Sequence, residues 1–249
     1  SISGFLTPDE ITNFTQMGGE GAFWIGRSPF SKHNHSFQNI GDGTYAHSGY
    51  LGIRAAVASG VNLTFKILYN GAVAMTGGQE VEGGQAPWIM SQQLAAEGVV
   101  KIAIVTDTLN DLSNGAKWAS NSQIYHRRDI IKVQRELKLI QGVTAIIYIQ
   151  NCATELRRKR KRGIIADKIE TIVINEKICE GCGDCAVQSN CVAVKPVMRP
   201  EGEKRQIDQN LCNKDMSCLT GFCPSFVTVH SRDDKSTQLP NQSPAFPKN

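Results

Sequence analysis

Residues 36–71 read SFQNIGDGTYAHSGYLGIRAAVASGVNLTFKILYNG. SFQNI (36–40) is a short apolar run that breaks at Gly41-Asp42-Gly43, and YAHSGYLGIRAAVASG behind it is compatible with a helix. NLTFKILYN is strand-like and stops at Asn70-Gly71, a turn signal. The order strand, tight turn, helix, strand predicts the opening of a parallel sheet.

The pattern continues C-terminally. WIMSQQLAAEG (88–98) is helix-compatible, VKIAIVTD (100–107) a strand, RDIIKVQRELKLI (128–140) amphipathic and TAIIYIQN (144–151) another strand. Ile130, Val133, Leu137 and Ile140 recur at three- and four-residue steps, so that helix lays one face on a sheet. Nearly continuous apolar strands separated by helices predict an α/β fold with a doubly wound parallel sheet covered on both faces. Ligands bind such sheets beyond the carboxyl ends of the strands. Asp42 and Asn70 each follow a strand, so they are expected to converge on one hard cation through oxygen ligands, and magnesium suits that pair. Gly41 and Gly43 let the backbone approach a pyrophosphate, and the helix behind them offers its N-terminal amides. The competing reading is a pair of ordinary turns, since Gly, Asp and Asn populate turns freely.

Seven of the eight cysteines fall in one C-terminal stretch, CEGCGDCAVQSNC followed by CNKDMSC and GFCP. Cys179, Cys182 and Cys185 are spaced to point three thiolates at one iron–sulfur cube, with Cys223 before Pro224 as the fourth ligand. In two-cluster ferredoxins the fourth cysteine of each run serves the other cluster, which assigns Cys191 to the second run with Cys212, Asp215 and Cys218. Asp215 stands where a perfect copy would carry a cysteine, and a carboxylate is a harder, more labile donor to iron. The expectation is one firm 4Fe-4S cluster and a second that is 4Fe-4S or 3Fe-4S. Paired CxxC spacings also build structural zinc sites, but those need neither the third cysteine nor the Cys-Pro ending. A disulfide framework is disfavoured because no apolar signal segment is evident and the spacing suits metal, which points to a reducing cytoplasm. Cys152 stands apart from the ligand runs.

A chain of 249 residues accommodates a sizeable core and a small appendage. The expected units are a cofactor-binding domain over 1–163, a cysteine domain over 164–231 and a disordered Ser/Pro/Asn-rich tail over 232–249. With 41% hydrophobic and 20% charged residues and no apolar run near the roughly 18 residues of a membrane span, membrane insertion is excluded. The net charge of +4 is concentrated in Arg157-Arg158-Lys159-Arg160-Lys161-Arg162. Such a run forms a solvated face or linker, or docks an acidic or phosphate-bearing partner. Nucleic acid is the weakest reading, because no aromatic platform or binding motif accompanies the charge.

Together TQMGGEGAFWIG, NIGDGTYAHSG, YNGAVAMTGGQ, QNCATELRRKRKRG, CEGCGDCAVQSNC and CNKDMSCLTGFCPSFVTV make the chain resemble the 2-oxoacid:ferredoxin oxidoreductases over nearly residues 14 to 229. More narrowly, it is similar to the indolepyruvate ferredoxin oxidoreductases of the long, fused bacterial type. The resemblance implies a thiamine diphosphate-binding fold with a small two-cluster ferredoxin-like α+β domain. It implies that Asp42, Asn70 and the Ala72 carbonyl hold Mg2+ and that Gly41, Gly43, Thr44 and Thr76 accompany them around the diphosphate. The implied reaction is oxidative decarboxylation of an aryl 2-oxoacid to an acyl-CoA, with electrons passing through the clusters to ferredoxin. Coenzyme A, a pyrimidine-binding domain and other parts of an oligomeric enzyme would be partners.

Gly71 departs from the acidic residue expected there in many relatives, and the pyrimidine domain, an upstream cysteine motif and a gamma-type domain are absent. The chain therefore resembles a piece of a larger enzyme. No catalytic glutamate is assignable: Glu20 either approaches the site or sits exposed on a loop, and His47 is a candidate pocket residue. The alternatives are a non-oxidative thiamine diphosphate decarboxylase with a structural zinc domain, and an electron-transfer module without catalysis of its own.

Overall fold

The computed structural model describes residues 15–73, 78–79, 81–112, 117–166, 170–221 and 223–230. They divide into two compact units, one ending at Cys152 and one beginning at Ala153. Thr76 and the tail 232–249 lie outside the described residues.

In the first unit, β1 (Ser36–Gly41), β2 (Leu63–Tyr69), β3 (Lys101–Thr106), β4 (Ser122–His126) and β5 (Val143–Ile149) form one sheet in the order β1-β2-β5-β3-β4. Every neighbouring pair is parallel. The sequence pattern anticipates all but β4, a half-exposed edge strand (SQIYH) too polar to stand out from its surroundings.

Alternation along the central strands sends side chains to two cores. Leu63, Phe65 and Ile67 of β2, Ile102 and Ile104 of β3 and Ala145 and Ile147 of β5 join a large core with Ile53, Ala56, Met90 and Leu94. Those partners come from helices α2 (Tyr50–Ser59) and α3 (Pro87–Glu97), while the short α1 (Ala22–Arg27) adds Trp24. On the opposite face Ala103, Val105 and Ile146 pack against Val133 and Leu137 of α4 (Ile130–Lys138). Both faces of the sheet are thus covered, which is why β5, at its centre, is apolar almost throughout. Truncating Ile147, fully buried there, to Ala carries the usual cost of about 2–5 kcal/mol for a core cavity.

The second unit is α+β. It opens with α5 (Ala153–Lys161), and β6 (Glu170–Ile174) pairs antiparallel with β9 (Phe226–His230). Between them lie α6 (Asp184–Ser189) and the hairpin of β7 (Val194–Arg199) with β8 (Gly202–Ile207). Its small core gathers Ile172, Ala193, Val194 and Ile207, with Cys185, Cys191, Cys212 and Cys218 packed against them. So small a core is one that bound metal ordinarily supplements. Among the described residues no helix is long and apolar enough to cross a membrane.

Candidate cofactor and cluster sites

β1 and β2 lie side by side in register, Gly41 opposite Leu68, so the turns beyond the two strands emerge at the same edge of the sheet. Asp42 is buried there. Its Oδ1 accepts the Gly43 N–H at 2.8 Å, and its Oδ2 accepts those of Asn70 (3.0 Å) and Gly71 (2.7 Å). Asn70 Oδ1 in turn accepts the Ala72 N–H at 2.8 Å. The carboxylate therefore ties the end of β1 to the turn after β2. Asp42 Oδ1 and Asn70 Oδ1, with one bond each, keep a further lone pair for a cation, whereas both lone pairs of Asp42 Oδ2 are engaged by the turn. Gly71 has φ +68°, a left-handed conformation that glycine adopts freely and that disfavours a side chain at this point of the turn.

A Cβ on Gly41 would meet nothing within 4 Å, and one on Gly43 only ordinary contacts at 3.9 Å or beyond, so the backbone here is open on its outer side. The chain then coils through Asp42–Thr44, a π-helical turn at Tyr45–Gly49 and α2. Turns of this kind, carrying one extra residue, are frequent at functional sites. The oxygen donors, the open glycine backbone and the helix behind them fit a magnesium diphosphate. Burial, and then the neighbouring Asp42 charge, raise the pKa of Tyr69 at the end of β2.

Glu20 is buried, not exposed: its Oε2 accepts the Gly18 N–H at 2.7 Å, and its carbonyl lies against Gly52 of α2. His47 is exposed on the π-helical turn. Trp24 is a core residue whose Nε1 donates to the Asn62 carbonyl at 2.9 Å.

In the second unit a cavity of about 300 Å³ is lined by Cys179, Cys182, Cys185, Cys218 and Cys223. Burial raises the Cys185 thiol pKa, with Cys182, Cys223 and Cys179 as lesser contributors beside it. Cys218 is pushed up to about 11 by burial, with Cys191, Cys212 and Asp215 as lesser contributors beside it. The structure thus gathers the cysteines in two groups. Backbone N–H groups of Arg205 and Lys214 point at Cys179 Sγ (3.4 Å) and Cys212 Sγ (3.3 Å). All eight cysteines are free thiols. Asp215 is exposed, and its Oδ1 accepts both the N–H (3.1 Å) and the hydroxyl (2.8 Å) of Ser217.

Among the described residues no three or more His, Cys, Asp or Glu side chains close on a point where they could hold a single metal ion. A cube of iron and sulfide stands its cysteines at its corners, farther apart than the ligands of one ion, and the soft thiol donors among the residues lining the cavity fit such a group.

No protein-family model matches the chain. It is 27% identical over 175 residues to the indolepyruvate oxidoreductase subunit IorA of Thermococcus kodakarensis, covering 70% of this chain and 25% of that one. The IorA of Archaeoglobus fulgidus is 27% identical over 198 residues, covering 77% of this chain and 28% of its own, and that of Pyrococcus abyssi is 26% identical over 178 residues, covering 70% and 24%. The chain spans about a quarter of the length of these curated relatives. Among solved structures, a 2-oxoglutarate:ferredoxin oxidoreductase from Magnetococcus marinus aligns over 55% of this chain and 46% of its own, at 15% identity and a TM-score of 0.42.

Proposed function

We propose that the chain is a member of the 2-oxoacid:ferredoxin oxidoreductase family that supplies two parts of such an enzyme, the diphosphate-binding half of a thiamine site and the iron–sulfur relay that drains it. The observation that carries this reading is the cavity lined by Cys179, Cys182, Cys185 and Cys223 in a chain that also ties Asp42 to the Asn70 turn.

Asp42 and Asn70 offer the carboxylate and amide oxygens, and Ala72 its carbonyl, for Mg2+. Gly41, Gly43 and Thr44 would bring backbone close to the diphosphate, and the sequence resemblance adds Thr76 to the residues that bind it. Thiamine diphosphate, when bound, supplies the electron sink that decarboxylation of a 2-oxoacid requires. The bonds from Asp42 to Gly43, Asn70 and Gly71 hold the oxygen donors in place before any ligand arrives. In the second unit Cys179, Cys182, Cys185 and Cys223 would hold one 4Fe-4S cluster. Cys191, Cys212 and Cys218 would hold a second, 4Fe-4S or 3Fe-4S, with Asp215 as its weak corner. One-electron transfer to ferredoxin is the chemistry those cages add. The names of the relatives favour indolepyruvate, an aryl 2-oxoacid, as the substrate, and the sequence resemblance adds coenzyme A as the acyl acceptor and the cytoplasm as the setting. The remaining domains or subunits, including the pyrimidine-binding one, complete the active site in an oligomeric enzyme.

Anaerobic quantification of iron and acid-labile sulfide, with EPR before and after dithionite, tests the reading. About seven to eight irons and a signal from reduced clusters are expected. Zinc without iron would overturn the relay and leave a non-oxidative thiamine enzyme. Calorimetry with Mg2+ and thiamine diphosphate should show binding that Asp42→Ala abolishes, and no binding to the unaltered chain would leave an electron-transfer module alone.

A further inference from the structure

The arginine-rich helix α5 meets the second cysteine run directly. Arg157 Nη1 donates to the Leu211 carbonyl at 2.8 Å and to Asn213 Oδ1 at 2.9 Å, and Arg160 Nη1 donates to the Asn213 carbonyl at 2.7 Å. Leu211 and Asn213 flank Cys212, so two guanidinium groups close on the backbone either side of one cysteine. Arg157 is steadied from its own helix by Thr154 Oγ1, which accepts from Nη2 at 3.2 Å.

The rest of the basic run is disposed differently. Arg158 pairs with the buried Glu155 at 3.6 Å. Lys161 and Arg162 are exposed. Arg157 and Arg160 are half-buried, where a charge is screened less than at the surface. Arg157 serves the Leu211 carbonyl and the Asn213 amide oxygen from Nη1 while Nη2 meets Thr154, and lysine, with one nitrogen, does not reproduce that two-nitrogen fork.

Resting on the reading of Cys191, Cys212, Cys218 and Asp215 as a cluster site, we propose that Arg157 and Arg160 are positioning residues that hold the Cys212 turn and set the reduction potential of the cluster it carries. Reduction adds one electron, supplied by dithionite in a titration, and one negative charge to the cluster. Two fixed positive charges beside Cys212 stabilise that added charge and raise the potential. They act on the second cluster, whose aspartate would otherwise make it the harder one to reduce.

An EPR-monitored redox titration of the full chain tests this. In Arg157→Gln/Arg160→Gln the second cluster is expected to become at least about tenfold harder to reduce, a negative shift of about 59 mV for a one-electron couple. The first cluster should not move, nor should either cluster in Lys161→Gln, which removes the same charge from an exposed position. Arg157→Lys, which keeps the charge and loses the fork, should stay near the unaltered potential. The proposal is overturned if the double variant keeps its second cluster at an unchanged potential, or if Lys161→Gln shifts it equally. If the double variant sheds the second cluster, Arg157→Lys decides: loss of iron there too means a purely structural clamp and overturns the assignment of potential. A second run that binds no iron in the unaltered chain removes the underlying cluster reading itself, which is a different result from an unmoved potential.

Discussion

Gly181 and Lys214 occupy equivalent positions, each two residues after the first cysteine of its run, and both are left-handed, at φ +73° and +53°. The match extends two residues further, to Gly183 at +83° and Met216 at +61°. Cys182 and Asp215 each sit between the two left-handed residues of their run, so the degenerate repeat in sequence is a repeat in backbone. In the first run glycine is obligatory, since a Cβ on Gly181 would collide with the Glu203 carbonyl. Gly181→Ala should therefore destabilise the cysteine unit by more than about 1 kcal/mol. Denaturant unfolding of the variant checks the loss.

Replacing Asp215 by cysteine completes the second run as a copy of the first. The expected outcome is firmer retention of iron after gel filtration under air, even though the bonds to Ser217 are given up. Cys191→Ser should deplete the second cluster, removing about three to four irons, and Cys223→Ser the first, removing about four. If Cys191→Ser instead erases the first cluster's EPR signal, the crossed assignment is wrong.

At the sheet edge, Asp42→Ala orphans three backbone N–H groups at once, those of Gly43, Asn70 and Gly71. Faster hydrogen exchange at Asn70 and Gly71 is the direct readout, and a stability loss of about 1–3 kcal/mol should accompany it. Unaltered exchange at those amides would show that the carboxylate does not hold the turn.

His35 gives the first unit a pH dependence with a definite sign. Its Nε2 meets Thr64 Oγ1 at 2.8 Å, and that hydroxyl meets Thr144 Oγ1 at 2.7 Å. Burial first, and then the nearby Lys138 charge, lower its pKa from 6.5 to about 4. The unfolded chain therefore binds the proton more readily than the folded one. The stabilisation is fully present above pH 6.5 and is lost as pH falls toward about 4. Melting temperature should decline across that window in the unaltered chain and more shallowly in His35→Gln.

Much of the fold was legible because its strands are nearly uniform in polarity: LTFKILY and VTAIIYI are what a strand covered on both sides must be. The edge strand SQIYH carried no such signal. Asp42 and Asn70 could be paired from the sequence because strand–helix–strand spacing returns the chain to the same edge. That Asp42 grips the Gly71 N–H was not readable, being a matter of one turn's conformation. Nor was the division of labour within the basic run. Residues 157–162 look alike in one dimension, and only the packing of a helix against Leu211 and Asn213 separates Arg157 and Arg160 from Lys161.

The extra residue of the π-helical turn at Tyr45–Gly49 acts as a phase shifter. One residue of an α-helix is about 100° of rotation. Upstream of the turn the chain is aimed by the Asp42 carboxylate, and downstream by Ile53 and Ala56 against the sheet. An unbroken α-helix would make those two aims a single choice, so that repacking the core swung the carboxylate and moving the carboxylate unseated the core. The turn takes up the difference in angle between them and lets each be adjusted without turning the other.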